Sequence, residues 1–181
     1  MAHNDNFSKG DYVVYPAHGV GMVEGIETHE ISGITVKLYN INFERDRMRL
    51  KIPTTKAETS GLRKVCTSSR LKDALETLKG KSRIRRTMWS RRAAEYEAKI
   101  NSGDPIAVAE VLRDLKRNCN DNDQSYSERQ IYQAALERLA REVAAVEKTS
   151  EDKATAKLEK IMGTEGNAKP RIAANDMKEA A

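Results

Sequence analysis

The chain has 181 residues, of which 33% are charged and 5% aromatic, and a formal net charge of +5. That length allows one ordinary domain or two small ones with modest cores. No apolar run approaches the roughly 18 residues that cross a bilayer, and the start MAHNDNFSKGD has neither the basic nor the apolar region of a signal peptide, so a cytoplasmic protein without membrane association is expected.

The two cysteines, Cys66 and Cys119, lie far apart, and His3, His18 and His29 do not cluster with them, which argues against a metal site or a disulfide. The charge is unevenly spread. Residues 1–63 carry 8 basic and 8 acidic side chains, residues 64–117 carry 14 and 7, and residues 118–181 carry 10 and 12, so the basic excess sits in the middle third. A basic block concentrated in one region is the footprint of a polyanion-binding surface, although a solvated helix face gives the same count.

From Lys9 to about Pro53 the period is two. GDYVVYPAHGVGMVEGIE sets β-branched and aromatic residues between glycines and Pro16, the pattern of short strands bent over tight turns, with His18 as a turn residue. ISG at 31–33 signals a hairpin, ITVKLYNINF a longer strand, and MRLKIP a further one after the polar break ERDR. These predict a small, strongly curved antiparallel sheet or SH3-like barrel. In the last strand Met48, Leu50 and Ile52 share one face, while Arg47, Arg49 and Lys51 share the other. Such a cationic row is either the solvated side of a half-buried strand or a docking edge, since like charges in a row repel unless acidic groups meet them.

After Leu62 the period becomes helical. Leu71, Ala74, Leu75 and Leu78 mark a first helix ending near Gly80; a second starts close to Trp89, with Thr87 or Ser90 as cap, and stops at NSGDP. Asp104 and Pro105 fit the cap and first residue of a third helix bearing Val108, Val111, Leu112 and Leu115. NCNDNDQS reads as a loop, SYSERQ as the capped start of a fourth helix with Tyr132, Leu136, Leu139, Val143 and Val146, and Ser150 as the start of a fifth with Ala154, Leu158 and Ile161, closed by Gly163. Residues 164–181 lack a stripe and are expected to be a disordered tail. The expected architecture is α+β in two domains: a β-rich domain over 1–63 and a bundle of about five short helices over 64–163.

KGKSRIRRTMWSRR, Lys79 to Arg92, holds seven cations, no acid and the single tryptophan. Trp89, Ala93, Tyr96 and Ile100 are spaced as a buried helical stripe, so Trp89 reads from spacing first as a core residue, the alternative being an aromatic that stacks on bases while Arg85, Arg86, Arg91 and Arg92 hold phosphates. No G-x-x-x-x-G-K-[ST] or H-E-x-x-H occurs, and the glycines of GVGMVEG precede no helix, so neither an enzyme nor a cofactor is expected. Two functional classes remain: a regulator that binds nucleic acid and also docks a protein, and an architectural, sequence-independent DNA-binding protein. A β domain without net charge has no role in the second.

KGDYVVYPAHGVGMVEGIE, RLKIP followed by GLR, WSRR, and AEVLRDL with SERQIYQAALERLAREVA together resemble the CarD/CdnL family of bacterial transcription regulators over roughly Lys9 to Gly163. The tail lacks the Arg-Gly-Arg-Pro hooks of the longer members, so the likeness is to the short CdnL type. The resemblance implies a Tudor-like domain that docks on the β subunit of RNA polymerase, and a helical domain that meets promoter DNA, with little sequence preference, at the upstream edge of the melted bubble. It assigns DNA contact to Trp89, Arg91 and Arg92 and polymerase docking to Lys51. A second docking position, Arg in some relatives, is His29 here, and a basic position of some relatives is Ala94. A monomer is expected.

Overall fold

Alternation in the first third of the chain is converted into five strands, and the computed structural model describes residues 7–83, 86–116 and 125–163. Strands β1 (Tyr12–Tyr15), β2 (Gly19–Ile31), β3 (Ile34–Phe43), β4 (Met48–Pro53) and β5 (Arg63–Lys64) form one sheet in the order β4-β3-β2-β1-β5, every neighbour antiparallel. The β2–β3 hairpin closes on Ser32 and Gly33, at φ 53° and 76°, the left-handed pair that a two-residue turn of matching twist demands.

Where the glycine-rich sequence suggested several short strands, β2 is a single strand of 13 residues. A register irregularity between Val23 and Gly25 bends it, so one long strand supplies the curvature expected of several short ones. Gly21 is bare for packing reasons: a Cβ there would stand 2.8 Å from both the Ile41 and Phe43 side chains. β5 was not expected, because two residues are too few to show a period. The inner face buries Val13, Val23, Tyr39, Ile41, Phe43 and Ile52, with Phe7 edge-on to Tyr39 at 5.4 Å.

Helical periodicity takes over in α1 (Ser68–Lys79), α2 (Trp89–Asn101), α3 (Pro105–Leu115), α4 (Tyr126–Glu147) and α5 (Glu151–Met162). Four of them begin on side-chain caps that satisfy otherwise orphan amides: Thr67 accepts from Arg70 N, Asp104 from Ile106 N, Ser125 from Glu128 N and Ser150 from Lys153 N. Gly163 ends α5 at φ 72°. The expected stripes face a second core: Leu71, Leu78, Val111, Leu112, Leu115, Leu136, Leu139, Val143 and Leu158 are buried, while Leu75, Tyr132, Val146 and Ile161 pack partly buried around them. The fold is α+β, a Tudor-like sheet followed, among the described residues, by five helices. The expected tail, Cys119, and residues 118–124 of the expected loop lie outside the described residues.

The two cores are separate clusters joined by a polar clasp. Arg63 of β5 donates Nη1 and Nη2 to the two carboxylate oxygens of Glu142 on α4, at 2.7 and 3.0 Å, and bonds the Gly103 carbonyl through Nε at 2.9 Å and also through Nη2. Glu142 also accepts the Cys66 amide at 2.9 Å. Arg138, one α4 turn earlier, donates to the carbonyls of Pro16 and Ala17 at 2.6 and 3.2 Å, and Arg45 pairs with Glu151 at 2.6 Å. Glu142 is only 5% exposed, so its bidentate arginine and amide are what make its burial tolerable.

Candidate nucleic-acid and protein interfaces

The second helix starts differently from the other four. Neither Thr87 nor Ser90 caps it: the N-cap position is Met88, which makes no side-chain cap, and the amides of Arg91 and Arg92 bond the Met88 carbonyl at 3.1 and 3.2 Å. Thr87 falls one residue too early and Ser90 already lies inside the helix, so neither hydroxyl occupies the capping place. Side-chain anchoring replaces the cap. Trp89 is half-buried against the helical core beside Ala93, its indole N–H donates to Ser127 Oγ on α4 at 2.9 Å, and Tyr96 stands 6.5 Å away at 52°. The Arg92 guanidinium lies over the indole, 5.4 Å from its centroid, within the range of cation–π attraction.

The core reading of Trp89 is met in part: the side chain packs against the helical core yet is only half-buried, which leaves it accessible to a partner. Around it the cations are uncompensated. Arg86 and Arg91 are exposed, Arg92 is half-buried with its Nε unpartnered, and none of the three forms an ion pair among the described residues. Arg85 lies outside the described residues.

The approach to this surface is pinned by a residue that the sequence did not single out for a role. Asp114, 5% exposed at the end of α3, takes the Arg83 amide and the Arg113 Nε–H on the same carboxylate oxygen, each at 3.0 Å, while its carbonyl accepts from Ser82 Oγ. The pair Arg113–Asp114 is the RD of AEVLRDL; the motif is visible in the sequence, but its contact with a segment 31 residues away is not.

On the sheet, β4 is an edge strand with no neighbour beyond it among the described residues. Met48, Leu50 and Ile52 face the core as expected. The opposite row is shorter than the alternation implied: Arg49 and Lys51 share it, but Arg47 stands in the turn before β4 at φ 49°, where the left-handed backbone takes its side chain off the strand pattern. The row's repulsion is also relieved internally. Arg49 meets Glu24 at 3.2 Å and Lys51 meets Glu27 at 2.7 Å, both acids coming from β2. Glu27 also lies 3.0 Å from His29 and accepts from Asn40 at 3.2 Å. The Lys51 ammonium, then the His29 imidazole, hold its carboxyl well below the usual range, at about 2.

Register places an apolar stripe beside these charges. Ile31 pairs with Ile34, His29 with Val36 and Glu27 with Leu38, so Ile31, Ile34, Val36 and Leu38 share the outer face. Ile31 and Ile34 are 58% and 66% exposed. The sequence shows these residues as ordinary strand formers, without saying that this end of the hairpin extends past the sheet's last partner strand.

Residues 7–66 match the CarD-like/TRCF RID domain, and residues 73–159 match the CarD C-terminal domain. A Bacillus subtilis (strain 168) protein, YdeB, named as a candidate transcription factor, is 31% identical over 145 residues, covering 80% of this chain and 95% of its own. With both domains matched in order and a relative aligned across most of each chain, the protein belongs to the CarD family of transcription factors.

Proposed function

We propose that the sheet domain docks on the β subunit of RNA polymerase through the β4 edge and the adjoining hairpin, while the head of α2 holds promoter DNA at the upstream edge of the melted bubble. The observation that carries this is the presence of two unlike exposed surfaces on modules clasped together by Arg63, Glu142 and Arg138. One is a strand edge with an apolar stripe and self-neutralised charges; the other is an aromatic set among uncompensated arginines. An edge strand offers backbone donors and acceptors to a partner strand. Arginines beside an indole offer grip on phosphate and stacking on an opened base.

The mechanism needs no sequence recognition, because phosphate contacts orient a protein on DNA without reading bases. Docking on the polymerase raises the local concentration of the α2 surface near the fork. A surface that binds the opened fork more tightly than the closed duplex then lengthens the life of the open complex by mass action. The protein acts as a monomer in the same compartment as the polymerase.

The test is recovery of RNA polymerase by the tagged protein after nuclease treatment. Recovery should survive nuclease and fall with Lys51→Glu, which sets a second carboxylate against Glu27. Trp89→Ala should leave recovery unchanged and shorten open-complex lifetime by roughly five- to 150-fold, as for the loss of one base–aromatic contact of about 1–3 kcal/mol. Polymerase recovery that vanishes with nuclease would instead favour an architectural DNA-binding protein.

A further inference from the structure

We infer that Tyr126 is a second base-contacting aromatic, projecting from the platform that Trp89 forms, and that Ser127 holds the two in register; this rests on the DNA-binding reading of the α2 head and deepens it. The starting point is how little of Trp89 is free. Its N–H is committed to Ser127, Arg92 covers part of the ring, Tyr96 stands against it, and the side chain is half-buried in the helical core. A ring so fastened supplies a flat floor, and driving it deep into a base stack would break the contacts that hold it.

Each projecting side chain directly precedes in the chain one end of that fastening. Among the large hydrophobic residues left exposed in the described part of the chain, the two most exposed are Met88 at 79% and Tyr126 at 76%. Met88 precedes Trp89 directly, and Tyr126 precedes Ser127, the residue that receives the indole N–H. The Trp89–Ser127 hydrogen bond thus ties the first turn of α2 to the first turn of α4 and fixes both exposed side chains to one framework. Ser127 is itself placed by the α4 cap: its hydroxyl lies 3.3 Å from that of Ser125, which accepts the Glu128 amide.

Charge selects the occupant. The helix that carries Trp89 has Arg91 and Arg92 in its first turn and Arg86 before it, and none of these has an ion-pair partner among the described residues. An apolar protein surface would leave those cations unmatched. Unpaired bases joined to phosphates satisfy both halves, the rings of Tyr126 and Trp89 meeting π-faces and the arginines meeting backbone. A thioether such as Met88 is also of the type that wedges between opened base steps.

The experiment compares the full-length protein on two DNAs of one sequence, a fully paired duplex and a duplex ending in unpaired bases, by fluorescence anisotropy of labelled DNA at fixed salt. Tyr126→Ala should weaken binding to the forked DNA about tenfold, the order expected for one stacked base, and leave duplex binding within about twofold. Tyr126→Phe should retain fork binding, because the ring and not the hydroxyl makes the contact. Ser127→Ala should shift the emission of Trp89, the only tryptophan, and lower fork binding by a smaller factor. Unchanged fork binding in Tyr126→Ala, alongside a loss in Trp89→Ala, would overturn the role of Tyr126 and leave the DNA reading standing. Equal loss on both DNAs would overturn stacking by Tyr126, and loss of polymerase recovery with intact DNA binding would assign Tyr126 to a protein partner. If the unmodified protein binds neither DNA, the DNA reading fails and this inference with it.

Discussion

The outer face of the sheet and the head of α2 are both lined with cations, yet their electrostatic states are opposite. Arg49 and Lys51 are each met by a glutamate of β2, whereas Arg86, Arg91 and Arg92 meet no acid among the described residues. A partner arriving at the sheet must exchange ion pairs that already exist and gains little from charge, so backbone pairing and the apolar stripe have to supply the affinity. A polyanion arriving at α2 releases its own counterions without displacing anything. Residue type alone therefore does not identify a docking surface; what counts is whether the chain has already answered the charge.

The largest expected effect comes from removing the joint between the two regions. Glu142→Ala leaves Arg63 and the Cys66 amide without their acceptor and should destabilise the full-length protein by about 3–5 kcal/mol, read from its thermal midpoint. A change under about 1 kcal/mol would mean that the Arg63–Glu142 pair is not what joins the two modules. Next comes the salt response of DNA binding. If about four cations between residues 79 and 92 neutralise phosphates, the log–log slope should be about −3.6, and Arg91→Ala should make it shallower by about 0.9. A slope unaffected by Arg91→Ala would erase the electrostatic contrast with the sheet.

A subtler effect sharpens the contrast from the other side. Lys51→Met removes the main group holding Glu27 at about 2, so the carboxyl should rise toward its ordinary 4.5, followed by carbon-detected NMR titration. The sign follows from linkage: a depressed carboxyl contributes stability that is present above its ordinary value and lost as pH falls through about 2. Glu27 therefore stays ionised between pH 7 and 5, and its pairing with Lys51 should not change there. Smallest in effect is Cys66. Burial first, and the Glu142 charge next, push its thiol up to about 12, so iodoacetamide at pH 8 should modify it only after unfolding. Rapid labelling at Cys66 in the native protein would show that the clasp opens readily.

Local signals were legible wherever one stretch of chain decides its own state. Asp104–Pro105, Ser125 with Glu128, Ser150 and Gly163 mark helix ends because each satisfies backbone groups a few residues away. Ser32–Gly33 marks its turn for the same reason. What could not be read are partners brought together by tertiary folding: Arg63 with Glu142, 79 residues apart, and Arg138 with the Pro16 carbonyl, 122 apart. Trp89 with Ser127, 38 apart, belongs with them, which is why the sequence leaves the indole open between core and contact, whereas the structure half-buries it on the helical core. The self-neutralisation of the sheet was hidden more subtly. Glu24 and Glu27 are three residues apart, an odd spacing that would put them on opposite faces of a regular strand, and the irregularity after Val23 brings both to the outer side.

The clasp has a consequence beyond stability. Arg138 binds carbonyls of the β1–β2 turn and Arg63 binds the Gly103 carbonyl, so the two modules are joined through backbone atoms whose positions do not depend on side-chain rotamers. Two surfaces tied in this way behave as the jaws of a caliper. For the function proposed here, the molecule would sense the separation between a polymerase surface and a DNA fork, favouring complexes whose spacing fits the jaws and disfavouring others even where both contact chemistries are present. Selectivity among promoters would then arise from geometry, with no base pair ever being read.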